Sequence, residues 1–337
     1  MKSTALQDAF KVILYLVLSL LFAALFSPLL YQLGKGFGQA TIGGNHAEAI
    51  HWLAKKALKH DFDTYFNRAL MLGAVLFLYP LLASLRLRSR PASFGQSPWS
   101  IYLPAEKIAR DHGQPLTNPR FGWLQALAGF LLAAGILFAM GWLFLYQNWF
   151  RLNESFDWQK ALSKAIPAAL GASLVEEFIF RGALLGIFIR AFRPLKGTIL
   201  LSLIFAFVHF LQPAAGHQVA QPAAWHAGFD MLRLIGLKFL QPQPMLYSFT
   251  TLFLVGLILG QARYATASLW LPIGLHAGWV FSFKLFNQFA HRRPDLDPSL
   301  DLFIGRDLKE GLLPLAALTL TGLIVWLLTR KKSEEAA

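Results

Sequence analysis

Cysteine is absent from the 337-residue chain. Disulfides, thiolate nucleophiles, iron–sulfur clusters and Cys-ligated zinc are thereby excluded. Any catalysis must rest on Asp, Glu, Ser, Lys and the nine His. Charge is scarce as well. Asp, Glu, Lys and Arg make up 15% of the residues against 55% hydrophobic ones, and the mean hydropathy is +0.47. A soluble domain carries about 25% charged residues, so this composition describes a membrane protein. The acidic sign is the rarer one, 18 residues against 31 Lys plus Arg, for a formal net charge of +13. On a soluble chain that excess would point to nucleic acid. Here the cations gather at the ends of apolar stretches, as in Arg86, Arg88 and Arg90 or Arg330, Lys331 and Lys332. Such clusters fix the orientation of a polytopic protein, and nucleic acid is not an expected partner. The sequence also lacks an H-E-x-x-H motif, an internal repeat and a low-complexity domain.

Long apolar runs are plentiful. A hydrocarbon core of about 30 Å requires about 20 apolar residues per helix, and eight stretches are candidates, giving an all-α polytopic bundle. Their approximate bounds are 12–32, 69–85, 123–146, 162–189, 198–211, 247–261, 269–289 and 312–329. The first is too long for a signal peptide and has no A-x-A site after it, so it reads as a retained anchor. Eight spans put both termini on one side. Total Lys and Arg are nearly balanced across the two sides, but the clusters Arg86, Arg88, Arg90, then Arg190, Arg193, Lys196, then Arg330, Lys331, Lys332 all fall with the termini, which are therefore expected in the cytoplasm, in a plasma or inner membrane. Arg263 is counted among the loop cations of that side. Residues 46–59 alternate apolar and basic groups as an interfacial helix does. Residues 86–120 hold five prolines and read as irregular, and residues 212–244 resemble them apart from a short amphipathic segment at 231–240. The expected division is 1–160 for N-terminal helices and polar loops, 161–291 for the chemistry-bearing core, and 292–337 for a last span and basic tail.

Three of these spans carry charge or imidazole. An ionised residue at mid-helix costs about 2.5 to 3.5 kcal/mol on insertion scales, so Glu176 and Glu177 in the fourth span need a reason. Glu177 and Arg181 are four apart and can pair on one face. Glu176 lies about 100° around the helix and must find its partner elsewhere. A helical hairpin turning near Arg193 and Pro194 sets Glu176 and His209 at one depth, with Phe205 one turn before His209 as an aromatic wall. His276 in the seventh span is flanked by Gly274, Ala277 and Gly278, which permit close helix approach. Lys284 is expected to snorkel to the interface, and Ser173 belongs to a small-residue packing surface with Gly171 and Ala172.

A carboxylate and two imidazoles on separate apolar helices support peptide hydrolysis in two forms. In the preferred, metal-free form Glu176 takes a proton from water, His209 holds that water, and His276 donates to the developing oxyanion. In the zinc form Glu176, His209 and His276 hold the metal. The motifs Glu176-Glu177-x-x-x-Arg181, Phe205-x-x-x-His209 and a later His276 resemble the CPBP family of CAAX proteases and bacteriocin-processing enzymes, also called Abi, over about residues 165 to 290. The resemblance implies an intramembrane endopeptidase acting on a membrane-anchored protein or peptide. It assigns water activation to Glu176 and His209, oxyanion assistance to His276 and support to Glu177 and Arg181. One position departs from the pattern: Val280 stands where the family has Asn, so a donor there is missing or is supplied by Trp279 or Asn287. Two other readings stay open, a non-catalytic membrane protein that binds a peptide or partner, and a proton-coupled transporter.

Overall fold

The computed structural model of the protein describes residues 2–84, 122–211, 218–240, 245–266 and 268–330. The proline-rich stretch expected at 86–120 and the basic tail beyond Arg330 lie outside these residues. The described residues are helices joined by turns and loops, with one three-residue ladder in which β1 (Phe150–Leu152) pairs antiparallel with β2 (Ala290–Arg292). Contacts divide the chain into two units, residues 1–89 with 207–244, and residues 90–206 with 245–337.

The first unit is built on α1 (Lys2–Thr41) and α3 (Phe62–Ser84), joined by α2 (Glu48–Lys59). Tyr15 donates to the Ala74 carbonyl at 2.9 Å, and Tyr31 packs edge-on against Tyr65, so α1 and α3 run antiparallel. The short amphipathic α8 (Ala227–Phe239) completes this unit. Its Ala227, Met231 and Ile235 join Ala23, Ala24, Phe62, Phe66 and Ala69 in one apolar cluster.

The second unit contains α4 (Gly122–Tyr146), α5 (Trp158–Glu177), α6 (Leu185–Phe192), α7 (Pro194–Val208), α9 (Leu246–Thr266), α10 (Trp270–Phe289), α11 (Asp301–Ile304) and α12 (Leu312–Thr329). α10 is its centre, packed against α4 on one side and α5 on another. The approach to α4 is close because of glycine. A Cβ at Gly274 would run into the Ala126 carbonyl group, and one at Gly278 would lie 2.6 Å from the Phe130 oxygen. Backbone cannot yield as a flexible side chain can. Gly274→Ala is expected to destabilise the protein by about 1–3 kcal/mol, the usual cost of overpacking. The check is a lower unfolding midpoint in detergent, and an unchanged midpoint would contradict the packing.

Among the described residues, five helices are long and apolar enough to cross a membrane: 7–41, 62–84, 122–146, 246–266 and 312–329. They correspond to five of the eight expected stretches, and the protein is an integral membrane protein. The other three differ in build. α7 is a shorter apolar helix of 15 residues. α10 carries His276 and Lys284, and its apolar groups are turned into the protein. The fourth stretch is not one α-helix: α5 passes at Phe178 into a π-helical segment, Phe178–Leu184, before α6 resumes. The turn expected near Arg193 is present, between α6 and α7, with Arg193 at φ 68.

Candidate functional site

The site grows from a simple repeat in α5. Asp157 caps the helix by accepting from the Lys160 backbone N–H at 3.1 Å. From there the buried positions are Ala161, Ala165, Ala169, Ser173 and Glu177, each four after the last. Residues four apart share a face. Four small side chains let α10 close in, and the fifth member of the stripe is a carboxylate aimed at that same helix. The partner it meets is His276.

The Glu177 Oε1 lies 2.8 Å from His276 Nδ1 and also accepts from Arg181 Nη1 at 3.0 Å. All three groups are buried, with side-chain exposures of 0% for Glu177, 2% for Arg181 and 7% for His276. A buried charge pair is costly unless its remaining donors are satisfied. Here Arg181 Nη2 donates to the Gly256 carbonyl at 3.3 Å, and the guanidinium lies 4.3 Å from the centre of the Phe205 ring. Gly256 is bare because a Cβ there would crowd Ser202 on α7.

Glu176 stands on the other side of the imidazole. Its Oε2 is 3.9 Å from His276 Nε2, and its side chain is 29% exposed, against 0% for Glu177. The two adjacent carboxylates thus address the two nitrogens of one ring from different depths. Phe205 contacts both partners of Glu177, edge-on to His276 at 6.3 Å and 79°, and beneath Arg181. It is held in turn by Phe180, perpendicular at 5.1 Å.

Of the three residues assigned to catalysis from sequence, Glu176 and His276 are neighbours in the second unit. His209 belongs to the first unit, in the turn that directly follows α7, and is half-buried. The supporting residues Glu177, Arg181 and Phe205 gather around His276. Ser173 is buried in the packing stripe, and its hydroxyl donates to the Leu170 carbonyl of its own helix. Lys284 is exposed on α10, as expected of a snorkelling residue.

The sequence reading missed two features. Arg263, counted as a loop cation, lies inside α9, is 1% exposed, and donates through Nε to the Arg181 carbonyl at 3.3 Å. Its position at the end of an apolar run imitates an interfacial cation, and only the tertiary fold reveals its burial. The π segment is the other. The Leu185 N–H bonds to the Phe180 carbonyl, five residues back, and no side-chain pattern announces that spacing. π turns are rare and concentrate at functional sites.

Asn287 cannot replace the missing donor at position 280. It is exposed, three turns beyond His276 and about 16 Å along the helix axis. Trp279 is 8% exposed and sits in the apolar cluster with Leu137, Phe144 and Phe286. Val280 is half-buried and offers no donor. Among the described residues, no group of three His, Cys, Asp or Glu side chains is arranged to hold a metal ion.

The stretch that carries these residues has recognisable relatives. Residues 158–282 match the Rce1-like family of type II CAAX prenyl endopeptidases. The Rce1-like stretch begins with α5 and ends within α10, so it holds all six residues singled out from the sequence. No curated protein and no solved structure matches the chain. The three-motif resemblance and the Rce1-like match therefore fall on the same helices, α5 to α10, leaving α1 to α4, α11 and α12 outside the match.

Proposed function

We propose that the protein is an intramembrane endopeptidase that hydrolyses a peptide bond of a membrane-anchored protein or peptide. The carrying observation is His276 set between Glu177 on Nδ1 and Glu176 facing Nε2. Carboxylate, imidazole and a buried counter-cation on one apolar scaffold are the parts of general acid–base chemistry.

The roles follow from exposure and contact. Glu176 is the more accessible carboxylate and accepts the proton of the attacking water, whose oxygen forms the new bond to the carbonyl carbon. The family resemblance assigns the orienting of that water to His209. Glu177 is already engaged by Arg181 and His276, so it acts as a positioning residue, fixing the imidazole plane through Nδ1. The Nε2 side of His276 then faces the developing oxyanion when the ring carries both protons. As the C–N bond breaks, the proton held on Glu176 passes to the departing amine. The family's name supplies the substrate class by analogy, a chain processed near a lipidated C-terminus.

A zinc form would use Glu176, His209 and His276 as ligands, leaving one position for water. The metal-free form is preferred because no H-E-x-x-H occurs and the three ligands would have to come from separate segments of the chain. A second reading, a non-catalytic protein that binds a membrane-anchored partner, is favoured by Val280 alone, and cytoplasmic termini in an inner membrane remain part of the proposal. The test is incubation of the purified protein in detergent with a library of membrane-anchored peptides, with and without a strong chelator. New peptide ends that persist in chelator are expected. Cleavage lost in chelator and restored by zinc would move His209 and His276 to metal ligands, and no new ends from any member would favour the binding reading.

A further inference from the structure

Between α1 and α3 the chain forms α2. The first unit fixes this helix from within. Lys35 Nζ donates to the carbonyls of Leu58 at 2.5 Å and His60 at 2.8 Å, and Tyr65 Oη donates to that of Ala57 at 2.8 Å. Ala54 is buried, and the Leu58 side chain lies against Gly38. The last carbonyls of α2, which lysines of the final turn often serve, are thus already occupied.

Lys55, Lys56 and Lys59 are left exposed. Among the described residues none of the three forms an ion pair, and Lys56 Nζ instead lies 3.8 Å from the centre of the Trp52 ring. Acidic residues nearby do not offset them. Glu48 sits in the first turn of α2, Asp63 accepts from the Thr64 backbone and hydroxyl in the first turn of α3, and Asp61 directly precedes that helix. Helix N-termini compensate such carboxylates. His60 senses the balance: its pKa is lowered first by burial and then by Arg68, Lys56, Lys35 and Lys59.

At about 100° per residue, Lys55, Lys56 and Lys59 share one side of α2. Ile50 and Leu53 extend the buried Ala54–Leu58 stripe on the other, at 39% and 50% exposure. An amphipathic helix tethered at both ends to membrane spans meets headgroups with its basic side and acyl chains with its apolar side. Unpaired ammonium groups favour a headgroup with net negative charge over one whose phosphate is already balanced by choline.

We propose that α2 is a docking surface for anionic phospholipids, with Lys55, Lys56 and Lys59 meeting their phosphates, Ile50 and Leu53 in the acyl boundary, and Trp52 at headgroup level. The cysteine-free chain makes the test direct. A fluorophore on Leu53→Cys in the full-length protein, reconstituted in phosphatidylcholine nanodiscs, is quenched by phosphatidylglycerol or phosphatidylcholine bearing a nitroxide near the headgroup. Quenching should show about a tenfold preference for phosphatidylglycerol. The triple change Lys55→Gln, Lys56→Gln, Lys59→Gln should abolish that preference, with Lys59→Gln alone reducing it. Equal quenching by both lipids would overturn the proposal. So would a lack of quenching by either, which would mean that protein covers this face, or a preference removed by inorganic phosphate, which would mark a free-anion site.

Discussion

Glu176→Gln should lower the rate of peptide cleavage by about 10²- to 10⁴-fold, the range that a positioned general base contributes, without disturbing the fold. The amide keeps the shape and polarity of the carboxylate but cannot take a proton from water. Glu176 suits this comparison because it is the exposed member of the pair, 29% against 0% for Glu177, and Arg181 is paired with Glu177 rather than with it. The measurement is initial rate on a cleavable membrane-anchored peptide beside the unfolding midpoint of both proteins. Undiminished cleavage would remove Glu176 from the mechanism. A fall in cleavage matched by a fall in midpoint would assign it to structure instead.

Arg181→Leu should cost about 3–5 kcal/mol, because it strands the Glu177 carboxylate at 0% exposure without its cation. The guanidinium also serves the Gly256 carbonyl and the Phe205 face, so α9 and α7 lose an anchor in the same step. The combination Glu177→Gln with Arg181→Leu removes both charges and should recover much of the loss. An unfolding series of the two single variants and the double variant in detergent measures the coupling. Additive losses would show that the pair is not the organising contact of the site. Burial sets the size of the effect: the same pair on the surface would be worth under about 1 kcal/mol.

Much of this architecture was legible from hydropathy alone. The apolar runs of α1, α3, α4, α9 and α12 fall within the range of lengths that cross a bilayer, so composition and the rise of a helix suffice to find them. The α6–α7 turn at Arg193 and Pro194 was legible too, since proline opens a helix readily. The pairing of Glu177 with Arg181 follows from a spacing of four. What could not be read was which carboxylate faces His276. Local reasoning left Glu177 satisfied by Arg181 and Glu176 in need of a partner, yet Glu177 Oε1 accepts from both Arg181 and His276. The signal existed in the Ala161-Ala165-Ala169-Ser173-Glu177 stripe, but it becomes decisive only when α10 is known to pack on it. Arg263 was misread for a related reason: a cation near a helix end is normally solvated, and its burial depends on the Arg181 carbonyl that meets it.

The π segment of Phe178–Leu184 separates two demands that a continuous α-helix would tie together. In a regular helix, rotating one residue to suit a charge rotates every apolar residue after it by the same angle. Here α5 ends in its two carboxylates and α6 restarts in a different rotational phase, so the phase of Phe188 and its neighbours is not dictated by that of Glu177. The segment behaves as a phase break, and its length is then a variable of its own. Removing one residue from it would return the stretch to continuous α-helical bonding, since a π turn holds one residue more than an α turn, and would tie the two phases together again. The charged and apolar halves of this stretch can therefore drift independently in sequence, provided that the break between them is kept.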